Sequence, residues 1–164
     1  MLSLKIESGD VKAFMNTLLT SETFDSFEVR GVDITTLTHF NISGQKLSSD
    51  KNEASPGDID KQVKAVYCKW GEIRPFILNI VKGGTKPAHI KIIFSMEPEE
   101  TLKLHENGAA MYLNIQYNGE EIYFTSATAQ KGFSLDKSLD HVWEDYLKEF
   151  FRVNEIKTKE VEME

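Results

Sequence analysis

Seven apolar residues near the end of the chain, Leu139, Val142, Trp143, Tyr146, Leu147, Phe150 and Phe151, recur at steps of three and four. That spacing draws one broad apolar stripe down a helix, with charged residues on its back. A helix so divided needs a layer to cover, so it is expected to be the main lid on the core. Ser134 or Asp136 is placed to cap its start, and Glu144 and Lys148 are spaced for an ion pair on its outer side. Asp140, Asp145 and Glu149 fit the same solvated back.

The layer beneath is legible as strands. Leu2, Leu4 and Ile6 alternate with polar neighbours, and Asp10 then caps a helix carrying Val11, Phe14, Met15, Leu18 and Leu19. The stretch FDSFEVRGVDITTLTHFNIS predicts two antiparallel strands turning near Arg30-Gly31. Ile34, Thr36, Phe40 and Ile42 would share one face there and Leu37 the other. Residues 48–62 are polar and rich in Ser, Asp, Pro and Gly, which predicts a flexible excursion, and VKAVYC returns as a strand. Trp70, Ile73, Ile77, Ile80 and Val81 predict a helix over 71–82, with Pro75 in its first turns and Gly83-Gly84 as a left-handed cap. AHIKIIF reads as a strand, and Pro98 opens a short helix with Glu99 and Glu100 at its positive end. Asn118-Gly119 signals a two-residue hairpin that sets Ile115 against Ile122, Leu113 against Phe124 and Met111 against Ser126. The charged tail from Asn154 is expected to fray.

The sum is an α+β fold: one domain over 1–153, mostly antiparallel sheet, with helices packed on one face, an excursion at 48–62 and a tail at 154–164. A length of 164 residues with 40% hydrophobic content suits that size of core.

A net charge of −7 weighs against broad electrostatic binding to nucleic acid or an anionic membrane, while leaving room for a local basic patch. Cys68 is the single cysteine, so it forms no internal disulfide and no multi-cysteine zinc site, which fits a reducing compartment. The opening MLSLKIESGD lacks the apolar core of a secretion signal, and no run reaches the ~20 apolar residues of a membrane span. A cytoplasmic location is the expectation.

The turn KGGTKP invites comparison with a phosphate-binding loop. Its polarity is reversed, because the glycines close a helix and open a strand, and a helix C-terminus carries partial negative charge. It is read as a hinge. Lys82 and Lys86 beside it form a candidate anion patch with Arg74 and Lys91, set against the plainer reading of solvated surface charges; Lys12, Arg74, Lys82 and Lys86 are the candidate anion or nucleic-acid patch that a clamp relative would use. Tyr112, Tyr117 and Tyr123 gather around the hairpin among Asn, Gln and Glu, which argues against base stacking; they are read as half-buried sheet tyrosines, with a candidate protein-binding face as the alternative. His39, His89, His105 and His141 show no metal-ligand spacing, and Cys68 has no local activating neighbour. No catalytic residue, metal or cofactor is assigned.

The phrases DVKAFMNTLL, FDSFEV, DITT, IRPFILNIVKGGTKP, KIIF and FSLDKSLDHVWEDYLKEF together resemble a family of uncharacterised Firmicutes proteins, DUF5721. The resemblance covers most of the chain outside 48–62. It implies a bacterial, intracellular protein and carries no activity or site residues. The expected element order, strand, helix, three strands, helix, three strands, is also similar to the repeated β-α-β-β-β of a DNA sliding-clamp domain. Three function classes follow. A non-enzymatic binding or adaptor protein, with a protein partner or a second copy, leads. The alternatives are a nucleic-acid-associated clamp relative and a small enzyme whose site assembles from scattered residues.

Overall fold

The computed structural model describes residues 1–47 and 66–162. Within them lie β1 (Ser3–Ile6), α1 (Val11–Thr20), β2 (Glu28–Thr35), β3 (His39–Ser43), α2 (Trp70–Val81), β4 (His89–Ser95), α3 (Pro98–Leu104), β5 (Gly108–Tyr117), β6 (Ile122–Gln130), α4 (Ser138–Val153) and β7 (Lys159–Glu160). The strands form one antiparallel seven-stranded sheet in the order β3-β2-β4-β5-β6-β1-β7. Period-two alternation puts Ile34, Ile92, Leu113, Phe124 and Ile6 on one face, all at most 1% exposed. The helices cover that face. Phe14 of α1 meets Phe124 edge to face at 5.2 Å, Trp70 of α2 meets Phe94 at 5.2 Å, and Phe151 of α4 lies 4.8 Å from Phe124.

Each tryptophan is fully buried and donates its indole N–H to a backbone carbonyl of a neighbouring element. Trp70 bonds the Leu18 oxygen and Trp143 the Tyr112 oxygen, both at 2.8 Å. In α4, Leu139, Trp143, Leu147 and Phe151 form the buried line, as the stripe requires.

Several local expectations are corrected. The chain does not turn at Arg30-Gly31; β2 runs through that point with a bulge between Val29 and Gly31, and reverses at Thr36–Thr38. A glycine inside a strand pattern marks a bulge as readily as a turn. Leu37 sits at the reversal, 87% exposed. The close approach in this region is at Gly44, where a Cβ would stand 1.6 Å from the Val29 carbonyl oxygen. The β5–β6 loop has four residues, not two: Tyr117 pairs with Ile122, Ile115 with Phe124 and Leu113 with Ser126. Asn118 Oδ1 accepts the Glu120 and Glu121 N–H groups, and Gly119 takes the positive φ of 97°. The register slips by two, so every side chain keeps its predicted face.

α2 ends without a left-handed glycine; the Gly83 N–H bonds the Ile80 oxygen at 3.2 Å. Asp10 makes no side-chain cap on α1, because residues 8–10 form a 3-10 turn leading into the helix. Glu144 contacts the N-terminal amine at 3.3 Å and Lys148 reaches Glu160 at 2.9 Å, in place of their mutual pair. Nor does the chain fray at Asn154: the Ile156 N–H bonds the Phe151 oxygen, and β7 pairs with β1. Of VKAVYC, residues 63–65 lie outside the described residues, as does the excursion 48–62; Tyr67 and Lys69 make isolated bridges to Gln45 and Glu28 instead of a regular strand. Among the described residues two named strands, not three, separate α1 from α2, while α3 is the short helix expected from Pro98.

Candidate functional site

α1 and α2 run antiparallel across the core face of the sheet. Three contacts fix the end where α1 stops and α2 starts. Trp70 bonds the Leu18 carbonyl, Arg74 Nη1 approaches the Leu19 carbonyl at 3.4 Å, and Arg74 grips Asp25 through Nε–Oδ1 and Nη2–Oδ2 bonds of 2.9 Å each. The fork holds the Arg74 guanidinium above its usual pKa, chiefly through the hydrogen bonds to Asp25. Arg74 is therefore a strut between elements. At the other end, where α1 starts and α2 stops, a groove of about 720 Å³ lies between the helices. Its walls are Val11, Met15, Leu78 and Val81, and Ile90, Tyr117 and Pro87 close the bottom.

Lys12, Lys82 and Lys86 line the rim and are exposed. Among the described residues none of them has a carboxylate within 4.0 Å. Among the described residues Glu120 is the one acid in the lining. The fold thus gathers three of the four residues singled out as a basic patch and assigns the fourth, Arg74, to Asp25. Lys91 points to the opposite sheet face, in register with Asp33 and Gln116. An apolar slot of this size with a few charges at its mouth suits a ligand with an apolar body and an anionic end.

The three tyrosines part company. Tyr117 is on the core face, 7% exposed, its hydroxyl donating to the Gly119 carbonyl at 3.0 Å, and it lines the groove. Tyr112 and Tyr123 are half-buried on the face without helices. There Tyr112 shares an arrangement that the sequence does not signal. The Arg30 guanidinium lies 4.0 Å from the Tyr67 ring centre and 5.5 Å from that of Tyr112, while Arg30 Nε donates to Ser95 Oγ at 3.0 Å. The bulge in β2 aims Arg30 at this face, and a bulge cannot be located from residue types alone. Beside it, burial pushes the Glu28 carboxyl above its ordinary value, an effect that the Arg30 charge opposes.

His105, Ser138 and Asp136 form a chain with the residue types of a hydrolase triad. The hydrogen bonds run the wrong way for one. The Asn107 N–H donates to His105 Nδ1 at 3.1 Å, so the proton sits on Nε2, which donates to Ser138 Oγ at 2.8 Å. Ser138 Oγ in turn donates to Asp136 Oδ2, and the Ser138 N–H bonds Asp136 Oδ1, each at 2.9 Å. The imidazole has no lone pair free to take the serine proton. Those Ser138 donors also hold the Asp136 carboxyl below the usual range, so it is a poor base. The trio fastens the start of α4.

Cys68 is half-buried, with its own N–H and C=O engaged by Gly44 and Val29. His39 pairs with Asp33 at 3.2 Å and His141 lies 3.9 Å from Glu144. Among the described residues no three His, Cys, Asp or Glu side chains are grouped to hold a metal ion, and no helix is long and apolar enough to cross a membrane.

Residues 17–159 match a family of unknown function, DUF5721. No curated protein and no solved structure matches the chain.

Proposed function

The chain belongs to DUF5721, a family of unknown function, and on that premise we propose that it is a non-enzymatic, cytoplasmic binding protein whose ligand site is the groove between α1 and α2. One observation carries this: Lys12, Lys82 and Lys86 surround an apolar slot of about 720 Å³. On a chain of net charge −7, a concentration of positive charge at the mouth of an apolar cleft selects anionic groups that bring apolar surface with them. A nucleic acid would use the same lysines, but they ring a slot rather than line a continuous track for a backbone.

Anilinonaphthalenesulfonate, an apolar ring system bearing one sulfonate, is a direct probe. Saturable binding of one molecule per chain is expected, weakened at least ~10-fold by the triple change Lys12→Glu, Lys82→Glu, Lys86→Glu, the scale of one or two lost charge-assisted contacts. The same reversal at Lys5 and Lys91 should leave binding unchanged. Equal binding by wild type and the groove triple variant refutes the site. A parallel titration with duplex DNA at two salt concentrations tests the nucleic-acid alternative, which requires binding that tightens as salt falls.

A further inference from the structure

The two edges of the sheet are finished differently. At one edge β7 is only Lys159 and Glu160, and both are held in ion pairs, to Glu7 at 2.6 Å and to Lys148 at 2.9 Å. A short, charged edge is a poor template for another chain. At the other edge β3 offers five residues, His39-Phe40-Asn41-Ile42-Ser43, with no lysine, acid, proline or bulge among them. The Thr36 N–H bonds the Thr38 carbonyl at 2.9 Å, and the Gly44 N–H the Arg30 carbonyl at 3.3 Å. In an antiparallel ladder of that register Phe40 and Ile42 turn their backbone groups to β2, while His39, Asn41 and Ser43 turn theirs outward. Among the described residues no strand takes those groups up.

An apolar ledge stands over this edge. Phe40 and Ile42 are half-buried against the core, and so are Ile73 and Ile80 of α2. Leu78 and Val81 face α1 across the groove, so the flank of α2 that carries Ile73, Phe76 and Ile80 is turned away from α1. α1 packs over β6 and α2 over β4, which leaves that flank on the β3 side of the sheet. Phe76 is 67% exposed there.

We propose that β3 pairs antiparallel with β3 of a second copy of this chain, about a two-fold axis at Asn41, so that two sheets join into one. The strand is complementary to itself in that register. Asn41 meets its own mate, and His39 of one copy exchanges backbone hydrogen bonds with Ser43 of the other. Phe40 stands opposite Ile42 on the core face, an aromatic and β-branched pairing that favours sheet formation. No like charges meet along the strand, and the two α2 flanks come together above it, where each Phe76 loses its exposure to water. Such a contact is isologous and uses up the free edge of both copies, so assembly stops at a dimer. It leaves the groove between α1 and α2 open and does not depend on what binds there.

Sedimentation equilibrium on the full chain tests this. Wild type should pass from monomer to dimer as concentration rises and go no further. Asn41→Lys and Asn41→Glu each set like charges against one another at the axis, so each alone should be monomeric where wild type is dimeric. Mixed in equal amounts they should dimerise, because lysine then meets glutamate. Asn41 also donates to Asp33 at 2.7 Å, so Phe76→Glu, which changes an exposed side chain outside the strand, supplies an independent variant; it too should shift the equilibrium to monomer. A wild type that is monomeric at every concentration overturns the proposal. So do growth beyond a dimer, a dimer that survives either charge at Asn41 or Phe76→Glu, and a mixture that stays monomeric.

Discussion

Arg74 on α2 holds Asp25, in the segment between α1 and β2, by two parallel hydrogen bonds of 2.9 Å, with both side chains less than a quarter exposed. This fork, with the Trp70 indole, fixes the closed end of the groove. Arg74→Lys keeps the charge but loses the planar fork, so it is expected to cost about 1–2 kcal/mol, and Asp25→Ala about 2–3 kcal/mol because it leaves a partly buried guanidinium unpaired. Urea denaturation of each variant checks the order; an Arg74→Lys variant as stable as wild type would show that charge alone matters and the fork geometry does not.

Glu28 gives a pH-dependent test. Its carboxyl is raised above the ordinary 4.5, first by burial, with Glu97 adding to the shift and Arg30 and Lys69 opposing it. The folded state therefore holds this proton more tightly than the unfolded chain does. Its favourable contribution is complete below 4.5 and disappears as pH rises through the raised folded value. Glu28→Gln should thus melt higher than wild type at neutral pH and level with it at pH 4. A lower Tm at neutral pH would mean that the pull of Arg30 outweighs burial.

Trp143, on the core-facing side of α4, is fully buried and stacks on Tyr146 with ring centres 5.5 Å apart. Trp143→Ala should cost about 3–5 kcal/mol in chemical denaturation. Trp143→Phe keeps most of the packing and loses the bond to the Tyr112 carbonyl, so about 1–3 kcal/mol is expected.

Asn107→Ala removes both bonds to Gly132, for a loss of about 1–2 kcal/mol given their exposed setting. The sharper readout is local. Limited proteolysis should cut within 131–137 in the variant and spare that loop in wild type.

Much of the fold was written in side-chain periodicity. The stripe from Leu139 to Phe151 dictated α4 because no other backbone brings those residues onto one side, and the alternation through Ile90, Ile92 and Phe94 set the inward face of β4 before its neighbours were known. Local geometry was harder to read where one residue type serves two conformations. Gly31 marked a bulge rather than a turn, and Asn118-Gly119 opened a four-residue loop, since pairing of Tyr117 with Ile122 was decided across the strands. Glu144 and Lys148 have the spacing of partners, yet the N-terminus and Glu160 are closer competitors that no helical spacing reveals.

By itself, then, the sequence determined the helices, most of the strands, their buried sides and the basic character of Lys12, Arg74, Lys82 and Lys86, all properties of residues within a few positions of one another. The tertiary structure alone decided that Arg74 belongs to Asp25 while the three lysines meet around an apolar slot, and that Tyr117 faces inward while Tyr112 stands near Arg30. Those outcomes depend on how α1 crosses α2 and where β2 bulges, and such long-range geometry is set by the packing of the whole core.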